Sequence, residues 1–164
     1  MFQTSTCRDS SYHKIGGWLL LYAIGLVLYP VKLAISLVTE LVPVYAHENW
    51  ARLTTPGTVE YDALWRPVLI SELVGNCCFL IFSICLIVFF FQRRHIVPRL
   101  VIIFLLSNLV FVGVDFFLTY FYLLRADSLS MEAVINMVRT AVASIIWIPY
   151  FIVSKRVKAT FVKT

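Results

Sequence analysis

Charge is scarce in this chain, and histidine is missing from the places where it does chemistry. Charged residues make up only 14% of the 164, against 60% hydrophobic ones, whereas a water-soluble domain carries about 25% charged residues. So thin a supply excludes a soluble surface, and the mean hydropathy of +0.86 is that of a membrane protein. The 3 histidines, His13, His47 and His95, all fall in tails or loops. Their position excludes haem held between helices and a metal site of recognisable spacing. It also removes the imidazole base that a serine or cysteine nucleophile would need at membrane depth. Glycine-rich loops of the phosphate-cradling kind are absent too. We therefore expect no enzyme, no cofactor and no metal.

Cysteine carries little information. Cys7 lies in the leading segment, and Cys77, Cys78 and Cys85 lie in an apolar run. None falls in the loops expected outside, where a disulfide would persist. The adjacent pair Cys77–Cys78 lacks the C-x-x-C spacing of thiol exchangers. There is no repeat of fixed period and no low-complexity tract.

What the chain does have is four long apolar runs. A helix needs about 20 apolar residues to cross a bilayer. Spans are predicted over residues 15–42, 67–91, 99–124 and 131–153, with an external loop at 44–65. They use up residues 1–164 as a single four-span membrane domain. The expected fold is all-α, an integral membrane four-helix up-down bundle. Lys14 followed by an apolar run resembles a signal peptide, with Val44-Tyr45-Ala46 as its cleavage site. The run is about twice the 7–15 residues of a signal core, so the segment reads as the first helix. Pro30 should kink that helix and Pro43 help to end it. Trp18, Trp50 and Trp65 suit the membrane surface. The turn at Gln92-Arg93-Arg94-His95 allows only a tight antiparallel return, and Ser130 offers a cap before the fourth span.

Net charge +5 could suggest nucleic acid, but its distribution argues otherwise. Arg8, Lys14, Arg93, Arg94, Arg99, Lys155, Arg156, Lys158 and Lys163 stand against Asp9 alone on one side. The other side holds Arg52, Arg66 and Arg125 against Glu40, Glu48, Glu60, Asp62, Asp127 and Glu132. Lys/Arg excess marks the cytoplasmic side, so N- and C-termini are expected to be cytoplasmic. Arg93, Arg94, Lys155, Arg156 and Lys158 should meet anionic headgroups of the lipid bilayer; no nucleic-acid partner is expected.

Each span carries one charged residue away from its ends: Lys32, Glu72, Asp115 and Arg139. A charge at the bilayer centre costs about 2.5–3.5 kcal/mol on insertion scales, so two acids and two bases require a common explanation. At 1.5 Å rise per residue, Lys32 and Asp115 lie about 24–25 Å from the inner ends of their helices. Glu72 and Arg139 lie about 8–12 Å from the outer ends of theirs, so all four share the outer third.

Spacings of 3, 4, 7 and 11 define helix faces. They align Trp18, Tyr22, Gly25, Tyr29, Lys32 and Ser36 on the first span, and Glu72, Gly75, Asn76, Phe79 and Ser83 on the second. The third span aligns Asn108, Asp115 and Thr119; the fourth aligns Asn136, Arg139, Thr140, Ala143 and Trp147. These stripes must face one another. Below the charged level they turn apolar and aromatic, which favours a half-pocket over a channel.

Two readings follow. Acid–base pairs and amides could simply fix helix register. Alternatively Lys32, Glu72, Asn76, Asp115, Asn136 and Arg139 line a polar cavity open to the outside, binding a small polar ligand or a membrane protein partner. Other classes are a small transporter or proton-coupled channel, using Glu72 and Asp115, and an immunity-type protein that blocks a pore-forming toxin.

The order of features is also familiar. Gly16-Gly17-Trp18-Leu19-Leu20 opens the first span, and Arg66-Pro67 precedes the second. Ile148-Pro149-Tyr150-Phe151-Ile152-Val153-Ser154-Lys155-Arg156-Val157-Lys158-Ala159-Thr160-Phe161 closes the chain. Over nearly its whole length the chain resembles the YdgK-like family of small bacterial inner-membrane proteins, a domain of unknown function. The resemblance implies a four-span inner-membrane protein, and brings no activity, substrate or catalytic residue.

Overall fold

The computed structural model describes residues 17–59, 61–118, 120 and 131–161, leaving out the side chain of His47. Cys7, Thr119 and Ser130 lie outside the described residues. The described residues are mostly helical, with no strand among them. Four helical stretches are long and apolar enough to cross a membrane: Trp18–Val44, Trp65–Phe91, Val97–Leu118 and Met131–Val153.

The first stretch is compound. Helix α1 (Trp18–Ser36) runs through Pro30, which is buried, and widens into a π-helical turn at Leu37–Leu41. A short α2 (Val42–Val44) follows, with Pro43 in its first turn. Pro43 has no N–H for the preceding turn and its ring crowds the carbonyl four residues back. The wider π turn relieves that crowding. It also carries Glu40 down the same rod rather than into a loop.

The segment expected as a loop contains a helix, α3 (His47–Thr54). Trp50, Leu53 and Thr54 are half-buried on one side, while Glu48, Asn49 and Arg52 are exposed. This is the i, i+3, i+4 pattern of a helix lying on a surface. Trp50 stacks on Tyr45 with ring centroids 5.2 Å apart, and Tyr45 Oη donates to the Leu69 carbonyl at 2.6 Å. Burial, and then the charge of Glu72, hold the Tyr45 phenol above its ordinary range. It therefore stays protonated as the donor.

Helix α4 (Trp65–Phe91) ends without the usual glycine. Arg93 adopts φ 57°, the Arg94 amide donates to Phe89 and the Arg93 amide to Phe90. That pair of bonds is the Schellman termination, and it returns the chain within five residues. Helix α5 (Val97–Leu118) follows, then α6 (Met131–Val153), which runs through Pro149. Helix α7 (Lys155–Thr160) is capped by Ser154, whose Oγ accepts from the Val157 amide.

Helix α5 packs most extensively on α6, then on α4, and α4 packs on α1. The core is aromatic at one end. Tyr22 on α1 meets Trp147 at 5.1 Å and Phe151 at 4.8 Å on α6, and Phe90 at 6.0 Å on α4. Helix α7 turns back beneath this cluster, burying Val157 and Phe161, the latter 5.2 Å from Phe90. Its Arg156 guanidinium lies 2.6 Å from the point where a Cβ on Gly17 would stand. Gly17 also has φ 60°, a backbone region that glycine enters without steric cost. The opening and closing motifs of the sequence thus meet at one end of the molecule.

Candidate functional site

The ionisable residues of the four spans converge. Lys32 from α1, Glu72 from α4, Asp115 from α5 and Arg139 from α6 line one cavity of about 400 Å³. Asn76 and Asn136, the other two residues singled out from sequence, line it too. Glu72, Asn76 and Asp115 are half-buried, whereas Lys32, Asn136 and Arg139 are exposed on the helix surface.

The geometry differs from a set of acid–base pairs. Among the described residues, no hydrogen bond or ion pair within 4.0 Å joins any two of the four charged groups. The charged groups instead surround a shared space. No polar side-chain atom in the described residues is buried without a partner.

Sequence spacing missed one contributor. Glu40 was grouped with the outer charges, but the π turn brings it to the cavity wall, with Ser36 Oγ donating to its Oε2 at 2.6 Å. The signal was present: Lys32, Ser36 and Glu40 are spaced i, i+4, i+8, one face of a helix that continues toward Pro43. The lining therefore holds three carboxylates (Glu40, Glu72, Asp115) and two bases (Lys32, Arg139). Tyr29 Oη donates to Asn108 Oδ1 at 3.2 Å across the α1–α5 boundary. One expected inward residue does not point in: Trp18 is 65% exposed.

One close approach lies beside the cavity, and one wall position is open. On α4, Gly75 lies directly under the Phe111 ring, so a Cβ there would collide with Cε2 and Cζ. Gly25, on α1, lines the cavity and a Cβ there would meet nothing within 4 Å. Toward the aromatic end, Phe104 closes the space. Its ring stands 5.2 Å from Tyr29 and 5.3 Å from Phe82, both edge-on. Ser83, the polar residue expected deepest on its helix, is buried with its Oγ donating to the Leu80 carbonyl at 2.8 Å.

Comparison with known protein families matches residues 12–162 to DUF2569, a family described as protein of unknown function. The chain belongs to the DUF2569 family. The matched region takes in all four apolar stretches and every residue of the cavity, so within DUF2569 this chain carries its site on the family's common region. No curated protein and no solved structure matches the chain.

Proposed function

We propose that this DUF2569 protein is a non-enzymatic membrane component that binds a small polar ligand, or a polar group of a partner, in its charged cavity. The observation that carries the reading is the convergence of five charged side chains on one space without pairing to one another. Each charge is costly in a bilayer. A set that served only to fix helix register would be expected to neutralise itself by contact. Groups left facing a common hollow are instead available to something that enters it.

The protein in this reading is an up-down bundle of the YdgK-like kind in a bacterial inner membrane, with both termini cytoplasmic. Lysine and arginine excess on the terminal side supports that orientation. The exposed Arg94, Lys155 and Lys158, with the half-buried Arg93 and Arg156, would lie at the anionic inner headgroups. The cavity then opens outward. Closure by Phe104 and the rings around Tyr22 favours binding over conduction through the bundle.

The test is access. With the native cysteines replaced by serine, a Gly25→Cys variant in proteoliposomes is exposed to a membrane-impermeant thiol reagent. We expect labelling from the external face only. Labelling from both faces would favour a transport path, and none from either would favour a purely structural cluster.

A further inference from the structure

The cavity has an apolar neighbour on α6. Arg139 and Ala143 on α6, which line it, also border a shallow open groove along that helix. The groove is formed entirely on α6, by residues that include Val134, Val138, Val142, Ile146 and Trp147. From Arg139 to Trp147 the groove follows about 12 Å of helix. One leaflet's share of the hydrocarbon core is of similar size, about 15 Å.

Helix α6 is also the least covered of the four. Only 6% of its apolar window is buried, against 17% for each of the others. It meets α1 where Tyr22 touches Trp147 and Phe151, yet the two are not among the closely packed helix pairs. The polar level, where Lys32 and Arg139 stand exposed, is therefore open sideways along the α1–α6 seam. A ligand arriving from water needs neither a lateral seam nor an apolar groove. A molecule already in the bilayer uses both.

Resting on the ligand-binding reading above, we infer that the cavity takes the headgroup of a membrane amphiphile bearing a phosphate and a primary ammonium, with an acyl chain along the α6 groove. Charge complementarity selects this headgroup. Lys32 and Arg139 are the cations available to a phosphate, and arginine binds phosphate through a planar fork of donors. Glu40, Glu72 and Asp115 are the carboxylates available to an ammonium. Arg139 lines both the cavity and the groove, which puts the phosphate at the junction of headgroup and chain. A purely anionic lipid would satisfy the bases and face three carboxylates without compensation.

The test is native mass spectrometry of the detergent-purified chain titrated with three probes. These are lysophosphatidylethanolamine, lysophosphatidylglycerol of the same chain length, and glycerophosphoethanolamine, which has the headgroup but no chain. We expect one lysophosphatidylethanolamine per chain, bound about tenfold or more tightly than either other probe, the worth of one charge-assisted contact. Glu72→Gln should remove the preference over lysophosphatidylglycerol. Val142→Trp, at an exposed position that fills the groove, should weaken both lysolipids. Unchanged elution and thermal unfolding certify that each variant is folded. Equal affinity for the two lysolipids in the native chain would overturn the inference. So would binding of glycerophosphoethanolamine as tight as that of its lysolipid, and in that case cavity binding itself stands. Failure of all three probes with a cavity still labelled from outside at Gly25→Cys overturns the amphiphile alone. Failure together with loss of that labelling overturns both readings.

Discussion

Two glycines, Gly25 on the cavity wall and Gly75 beside the lining residue Asn76, are chemically identical and structurally opposite. A methyl group at Gly75 would enter the Phe111 ring, and overpacking of this kind costs about 1–3 kcal/mol. The same methyl group at Gly25 meets empty space and removes the helix penalty of glycine, about 0.5–1 kcal/mol. Thermal unfolding in detergent should therefore show Gly75→Ala lowered and Gly25→Ala unchanged or raised. Matching shifts in the same direction would contradict the packing around Phe111. Arg93 makes the complementary point, because an arginine does at φ 57° what glycine usually does at a helix end.

At the scale of elements, α7 is short yet anchored. Its Ser154 cap and its buried Val157, Thr160 and Phe161 hold it against the aromatic end. Truncating a buried phenylalanine costs about 3–5 kcal/mol, whereas losing a serine cap costs about 1 kcal/mol. Phe161→Ala should thus destabilise the protein well beyond Ser154→Ala in a denaturant titration. Equal effects would mean that α7 is not packed on Phe90. The sequence shows the basic face of this segment plainly. That its apolar positions turn inward depends on Ser154 breaking α6, and a six-residue pattern is too short to reveal such a break. The π turn at Leu37–Leu41 is similar. It comes from Pro43 acting backwards along the helix, which periodicity does not register, although the i, i+4, i+8 spacing of Lys32, Ser36 and Glu40 does.

For the molecule as a whole, topology is the outstanding consequence. Thr55 and Arg94 are exposed at connections on either side of α4. In intact cells, Thr55→Cys should react with an impermeant reagent from outside, and Arg94→Cys only after permeabilisation. The reverse pattern would invert the orientation and turn the cavity to the cytoplasm.

The sequence by itself determined that this chain is helical, that four stretches can cross a membrane, and which residues are anomalous within them. Hydropathy and helical period are local quantities, written in each stretch without reference to the others. Tertiary structure alone decided that the anomalous charges surround a hollow instead of touching, and that Arg139 borders both that hollow and a groove on α6. Those facts depend on how far apart the helices stand. That distance is set by rings and glycines such as Phe111 and Gly75 on different helices, whose pairing no single stretch encodes.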